Sequence, residues 1–234
     1  PPRVALVELA PNQPSQSPRQ PLHTSTSQTV VAVLTLGQLP QPEAAPTFCQ
    51  GAVASVLGSV PVQAFIDENT VRGIMVVAAV ADPSALDHAR RTLVALRMKG
   101  QERIHFKSER DSRRRAICSA MVTLDVQVRV YHAAGLTPKL GRPRCLETLV
   151  GDLAELPISR LVLEQDDSTV KSDRRILFEA AGKHGIRDQL TYHHLRAKQE
   201  PMLWIPDAVA WCLAKGGEWP DRVRPLITKT MTVR

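Results

Sequence analysis

The sequence predicts an α/β domain in which a mixed β-sheet is flanked by helices. Two apolar runs separated by a short polar turn predict a hairpin of adjacent strands. Beyond the hairpin, strand-like runs alternate with segments whose apolar residues recur every three or four positions, as in amphipathic helices. Two adjacent strands followed by strands alternating with helices favour a mixed sheet with helices on its faces over a helix bundle or a sandwich.

The predicted hairpin opens the domain. Residues 62–67 predict the first strand, and residues 73–80, a continuous apolar run, predict the second. Asp82 and Pro83 then begin a helix, because proline is favoured in the first helical turn. The buried stripe of this helix repeats at helical spacing and consists of Leu86, Ala89, Leu93 and Leu96.

The alternating part of the chain follows. Residues 103–107 are a short strand candidate, and Asp111 is predicted to cap the next helix. Apolar spacing predicts the remaining elements: a strand at 126–130, a helix around 146–156, a strand at 161–164, a helix at 172–182, a strand at 190–195 and a helix at 203–215 ended by Gly216. Trp204 and Trp211, on that last helix, are most simply core residues.

Residues 1–60 differ in composition from the rest of the chain. They hold half of its 18 prolines and are rich in Gln, Ser and Thr, which predicts a largely disordered extension. They contain only two arginines and two glutamates, so the whole excess charge of +7 lies in residues 61–234, the predicted folded domain. A basic domain favours a polyanionic partner, nucleic acid first, although an ordinary basic surface gives the same charge.

Cysteine usage and hydropathy bear on the compartment. The four cysteines are far apart and form no Cys-x-x-Cys pair or zinc-ligand spacing, which favours a reduced, cytoplasmic setting. No apolar run reaches the 18 or more residues of a membrane span, so no membrane association is expected.

Acidic residues stand at the ends of the most apolar segments. Asp67 and Glu68 follow the first strand, Glu164 and Asp166 follow a later one, and Asp207 opens the last helix. Ligands of α/β folds bind at the carboxyl ends of strands, so these side chains are predicted to converge. Two charges about 4 Å apart repel by roughly 4 kcal/mol near a protein surface. Converging acids therefore usually hold a divalent cation or raise the pKa of one carboxyl.

Each acid also has a plain structural explanation. Neighbouring strand residues face opposite sides, so Asp67 and Glu68 share a site only if the strand ends or bulges there. Both suit a strand-to-turn junction, and Glu164 and Asp166 suit a polar loop. A helix N-cap would fully explain Asp207.

The chemistry of the acids predicts a metal site. Asp67, Glu164, Asp166 and Asp207 are the predicted ligands of Mg²⁺ or Mn²⁺, and Glu68 joins them in the predicted catalytic set. Two such ions can activate a water molecule and stabilise the leaving oxygen when a phosphodiester is cleaved. His105 and Lys107 are the predicted substrate-binding residues, with a solvated lysine as the alternative for Lys107.

Three segments, at residues 65–68, 104–106 and 203–208, resemble an uncharacterised bacterial family. Its members carry an Asp-Glu pair near the start and Gln-x-x-Asp near the end, and the family is thought to have a ribonuclease H-like fold. The resemblance covers residues 61–227. It implies a ribonuclease H-like site with two Mg²⁺ ions held by Asp67, by Glu164 or Asp166, and by Asp207. This chain has Trp204 where the family has Gln, so any polar contact of that Gln is absent.

The sequence therefore predicts a metal-dependent nuclease or related phosphoryl-transfer enzyme that acts on nucleic acid. One alternative is a non-catalytic nucleic-acid-binding or protein-interaction module of the same fold. The other is an α/β protein whose acids are only caps and turns.

Overall fold

Six strands form one mixed sheet in a computed structural model that describes residues 60–71 and 73–234. The disordered extension predicted for residues 1–60 lies, up to residue 59, outside the described residues. Across the sheet the strands run in the order β5-β4-β1-β2-β3-β6. Their bounds are β1 Val62–Asn69, β2 Ile74–Ala81, β3 Gln127–Ala133, β4 Ile158–Glu164, β5 Thr191–Leu195 and β6 Ile227–Thr232.

Helices connect most of the strands. Their bounds are α1 Pro83–Ala95, α2 Asp111–Met121, α3 Pro138–Leu153, α4 Val170–Lys183, α5 Trp204–Lys215 and α6 Trp219–Val223. Single 3-10 turns lie at Phe106–Ser108, Pro201–Leu203 and Arg224–Leu226. In the part of the chain that the structure describes, no helix is both long and apolar enough to cross a bilayer.

Strand directions define the topology of the sheet. β1, β2 and β3 form an antiparallel meander, β4 is parallel to β1, and β5 is parallel to β4. β6 extends the other edge, parallel to β3. A three-stranded meander continued by two parallel strands beside its first strand is the ribonuclease H-like arrangement, and the predicted fold class is confirmed.

The sheet separates two apolar cores. One core contains Phe65 and Val162 and is covered by α1, α2, α5 and α6, and the other contains Ile66 and Leu163 and is covered by α3 and α4. Side chains alternate between the two faces along each strand, which is why adjacent residues enter different cores. Below, the side of the sheet that carries α5 is called the α5 face, and the side that carries α3 is called the α3 face.

Three local predictions are wrong. Residues 103–107 form a loop and a 3-10 turn, because Ile104 and Phe106 bury their side chains in the core without pairing with a strand. Asp111 is the first helical residue of α2, and Arg110 is its N-cap. The helix predicted at 172–182 begins at Val170 and continues one residue past Gly182. Cys118, Cys145 and Cys212 are buried free thiols.

Candidate active site

Two parallel strands and one helix bring three carboxylates to the same edge of the sheet. Asp67 lies near the carboxyl end of β1, and Glu164 is the last residue of the parallel strand β4. Ile66 is in register with Leu163, which places Asp67 beside Glu164 on the α5 face. Helix α5 packs across β1 and carries Asp207 in its first turn. We call Asp67, Glu164 and Asp207 the carboxylate cluster.

The members of the carboxylate cluster affect each other electrostatically. Burial raises the pKa of Asp67 well above its usual value, and repulsion from Glu164 and Asp207 raises it further. Burial also raises the pKa of Asp207, and Glu164 adds to this rise, whereas the backbone N–H of Phe106 lowers it. A bound cation would offset both effects, because its positive charge favours the ionised carboxylates.

Asp207 is not a helix cap. Helix α5 begins three residues earlier, at Trp204, so the backbone N–H groups that an N-cap would serve precede Asp207. Its Oδ2 instead accepts a hydrogen bond of 3.2 Å from the backbone N–H of Phe106, in a different part of the chain. The structural explanation that the sequence offered for this residue therefore fails.

Arg103 is the cation nearest to Glu164. Its Nη1 lies 2.9 Å from Glu164 Oε1, and both side chains are only partly exposed. Together they line a groove of about 540 Å³ that also contains Arg196 and Lys198. Each of these two outer cations has an acidic partner of its own, at 3.2 Å for Arg196 and 3.5 Å for Lys198. The sequence did not single out Arg103, because its role depends on a contact 61 residues away.

The carboxylate cluster fits a divalent cation in its chemistry. Carboxylate oxygens are hard ligands of the kind that Mg²⁺ and Mn²⁺ prefer, and burial, with added repulsion from Glu164 and Asp207, raises the pKa of Asp67. Nevertheless, among residues 60–71 and 73–234 no three His, Cys, Asp or Glu side chains stand in a ligating arrangement. The ion pair with Arg103 turns Glu164 toward a protein cation, so Arg103 and a metal ion would compete for this carboxylate.

Glu68 lies on the opposite side of the sheet from the cluster. β1 pairs regularly with β2 through Asn69, without a bulge, so Glu68 faces away from Asp67. There it forms an ion pair with Arg142 of α3, which also contacts the fully buried Asp173 of α4. Burial raises the pKa of Glu68 even though Arg142 opposes that rise. Glu68, a predicted catalytic residue, thus pairs with Arg142 across the sheet from the cluster, although it lines one cavity of about 260 Å³ with Asp67, Glu164 and Asp166.

Asp166 forms the turn between β4 and α4. Its Oδ1 accepts hydrogen bonds from the Ser168 backbone N–H at 2.9 Å and from the Ser168 hydroxyl at 2.7 Å. These bonds lower the pKa of Asp166, which is fully solvated. Strand β4 ends at Glu164, so Asp166 does not continue the strand face that Glu164 occupies. This predicted metal ligand therefore lies in the turn that the sequence offered as the alternative, where it borders the cavity that Asp67 and Glu164 also line.

The two predicted substrate-binding residues lie on either side of Phe106. His105 is close enough to Asp207 to lower the pKa of that carboxyl, and its Nδ1 lies 3.0 Å from the Ser108 hydroxyl. Lys107 is exposed and lines a separate cavity with Trp211 and Lys215. Trp211 is only half buried, unlike the buried Trp204. Trp211 follows Asp207 by four residues and therefore lies on the same helix face, a spacing that could have linked it to the site from the sequence alone.

Comparison with known proteins gives fold-level similarity. No family model matches the chain, and no curated protein matches it, so the bacterial family suggested by the short motifs is not confirmed. The solved structures that resemble it include a PCNA:RNase HII complex from Archaeoglobus fulgidus, at 16% identity and a TM-score of 0.44, covering 66% of this chain and 73% of that one.

Two further similar structures are of Bst-RNase HIII. One is a complex with Mn²⁺, at 18% identity and a TM-score of 0.41, and the other is a Q54A mutant, at 18% identity and a TM-score of 0.39. Each match covers 65% of this chain and 51% of the other, so the chain spans about half the length of these proteins. Similarities this distant assign no residue a role.

Proposed function

We propose that this protein is a divalent-metal-dependent phosphodiester hydrolase that acts on nucleic acid. One observation carries the proposal: Asp67, half-buried at a strand end, lies close enough to Glu164 and Asp207, from a second strand and a helix, for their charges to repel its carboxylate. Bringing acids together from three separate elements costs stability, and an unexplained cost of this kind is typical of a functional site.

The residues around the cluster suit phosphate chemistry. Asp67, Glu164 and Asp207 would hold Mg²⁺ or Mn²⁺, which, when bound, activates water and stabilises the leaving oxygen. Arg103, next to Glu164, and His105, next to Asp207, place positive or hydrogen-bonding groups at the rim, where a phosphate oxygen would lie. The formal net charge of +7 attracts a polyanion to the whole surface.

A cleavage assay tests this proposal. The full chain is incubated with labelled single-stranded and duplex DNA and RNA in Mg²⁺ or Mn²⁺, and products are resolved on a gel. We expect cleavage that EDTA abolishes and that Asp67→Asn reduces by at least about 100-fold, because a neutral side chain loses the charge that holds the cation.

Asp188→Asn is the matched control for this assay. It removes the same charge from an exposed turn before β5, at the opposite ends of the parallel strands from Asp67 and Glu164, so we expect its activity to stay within a few-fold of the unsubstituted protein. Equal activity of Asp67→Asn and the unsubstituted protein would identify a contaminating nuclease and refute the proposal.

A non-catalytic nucleic-acid-binding module of the same fold is the second candidate. The observation that favours it is the ion pair between Arg103 and Glu164, because a guanidinium there supplies the positive charge that a metal ion would otherwise supply. Such a module would bind nucleic acid equally well with and without divalent ions and would give no products in the cleavage assay.

A further inference from the structure

A cavity of about 380 Å³ adjoins the carboxylate cluster on the α5 face. It lies where the end of β1, the 3-10 turn after His105 and the second half of α5 meet. Its described lining residues are Asn69, Val71, Lys107, Trp211, Ala214 and Lys215. We call this cavity the Trp211 pocket.

The Trp211 pocket carries positive charge without a balancing acid. Lys107 and Lys215 are exposed, no acid is among the described lining residues, and neither ammonium group forms an ion pair within the described chain. The groove beside Arg103 differs, because each cation that lines it has a carboxylate partner. Two unbalanced lysines about one small cavity favour an anionic ligand.

The same pocket offers an aromatic and apolar wall. The Trp211 ring is fixed edge-on between Phe106 and Trp219, each with its ring centroid 5.3 Å away, and the Arg114 guanidinium lies 4.3 Å from the Trp211 ring centroid. Val71, at the rim, is 73% exposed. A pre-positioned indole beside two ammonium groups suits a ligand that has a flat apolar part and a negative charge, as a nucleotide does.

The pocket walls continue the elements that carry the carboxylate cluster. Asn69 lies two residues after Asp67 on the same face of β1, and Trp211 lies one turn after Asp207 on α5. Lys107 follows Phe106, whose backbone N–H donates to Asp207. A chain seated in the Trp211 pocket therefore leads directly to the proposed metal site.

We propose that the Trp211 pocket binds an unpaired nucleotide of a single-stranded nucleic acid, with the base against Trp211 and the flanking phosphates on Lys107 and Lys215. A duplex keeps its base faces stacked, so only a single strand can present a base to the ring. That this nucleotide neighbours the cleaved bond rests on the proposed function, whereas the binding itself does not.

Binding is measured in EDTA, which removes divalent ions, so that cleavage of the oligonucleotide does not affect the measured affinity. The full chain is titrated into fluorescently labelled oligo-dT and oligo-U of about twelve nucleotides, within the range that single-strand-binding folds cover, and into the corresponding duplexes. We expect both single strands to bind at least about fivefold more tightly than the duplexes. Equal affinity for duplex and single strand would overturn the proposal.

Charge reversal tests the two lysines. We expect the double variant Lys107→Glu/Lys215→Glu to weaken single-strand binding at least about tenfold and to flatten the slope of log affinity against log salt by about 1.4, the value for two lost phosphate contacts. The control Lys139→Glu/Lys171→Glu makes the same charge change on helices of the α3 face and should stay within about twofold of the unsubstituted protein. Equal losses in both double variants would overturn the proposal.

Substitution of the ring separates stacking from charge. Trp211→Phe keeps a flat ring and should retain affinity within about threefold, whereas Trp211→Leu should lose about tenfold. Melting curves verify that both variants fold, and if Trp211→Leu does not fold, the lysine variants alone decide. If the variants lose binding as expected but the protein shows no metal-dependent cleavage, the pocket proposal stands and the proposed function is rejected. If Asp67→Asn abolishes cleavage but the lysine variants bind normally, the proposed function stands and the pocket proposal is rejected.

Discussion

At the scale of single residues, adjacent acids have different environments because strand residues alternate between faces. Asp67 faces two other carboxylates, while Glu68, the next residue, faces Arg142 on the other side of the sheet. Two adjacent acids thus differ: Asp67 is repelled by two carboxylates, whereas Glu68 is paired with an arginine. The same reasoning makes Asp67 the residue whose replacement is most informative.

We expect Asp67→Asn to stabilise the fold at pH 7 in EDTA. The pKa of Asp67 is raised in the folded protein, so the folded state holds this proton more tightly than the unfolded state does. Its contribution to stability is therefore full below the usual value of 3.8 and is lost as the pH rises through the folded pKa. The gain in melting temperature of the variant should accordingly disappear below about pH 4.

Asp166→Asn is the control for this stability comparison. Hydrogen bonds from Ser168 lower the pKa of Asp166, so its neutral replacement should give no gain at pH 7. A lower melting temperature for Asp67→Asn than for Asp166→Asn at pH 7 would show that Asp67 carries no electrostatic cost in the folded state.

The sequence predicted part of the candidate site. The rule that acids follow apolar strands selected Asp67 and Glu164, and both lie where two parallel strand ends meet. The same rule also selected Asp166, because the sequence does not reveal that β4 ends at Glu164 and that a turn begins directly after it. Arg103 was missed because its partner is fixed only by the tertiary fold.

At the scale of elements, one carboxylate ties a helix to two strands. Asp152 of α3 is buried, and it accepts hydrogen bonds from the Tyr131 hydroxyl at 2.5 Å and from Arg129 at 2.7 Å, both on β3. It also forms an ion pair with Lys229 of β6. This network holds the meander edge of the sheet to the helix on the α3 face.

We expect Asp152→Ala to destabilise the fold by roughly 3 kcal/mol at pH 7 in urea denaturation, because it leaves two cations and a buried hydroxyl without their acceptor. Burial alone would raise the pKa of Asp152, but the hydrogen bonds from Lys229, Tyr131 and Arg129 outweigh burial and lower it. The folded pKa is lowered, so the stabilisation is present above the unfolded value of about 3.9 and is lost as the pH falls through the folded one. The difference between variant and unsubstituted protein should thus shrink as the pH falls below about 4.

Glu155→Ala is the matched control for Asp152→Ala. Glu155 lies 4.0 Å from the same lysine but is 74% exposed, so its removal should cost less than about 0.5 kcal/mol. Equal costs for the two variants would contradict the assignment of Asp152 as the residue that holds this network together.

Elements with strong apolar periodicity were predicted and weakly patterned elements were not. Strand β2 and helix α5 were predicted because their residues are almost all apolar. Strand β6 was missed because its sequence alternates Thr with half-buried residues at the sheet edge, where packing demands few apolar side chains. The segment at 103–107 alternates like a strand, but its apolar residues enter the core from a loop.

At the scale of the whole molecule, the two faces of the sheet have different roles. Buried acids are paired with arginine on both faces, as Asp173 is with Arg142 on the α3 face and Glu200 is with Arg90 on the α5 face, so the carboxylate cluster is what sets the α5 face apart. On the α5 face, the carboxylate cluster concentrates negative charge beside the positively charged Trp211 pocket. The proposed cation site and the proposed anion site therefore adjoin on one face, which is the arrangement that a metal-dependent enzyme acting on a polyanion requires.

Titration of the full chain with Mn²⁺ by calorimetry tests most directly whether Asp67, Glu164 and Asp207 form one cation site. We expect saturable binding that Asp207→Asn weakens at least about tenfold and that Asp188→Asn, in an exposed turn before β5, leaves unchanged. Asp207→Asn can keep the hydrogen bond from Phe106, so its loss would reflect the missing charge. Binding by Asp207→Asn that equals binding by the unsubstituted protein would contradict the account.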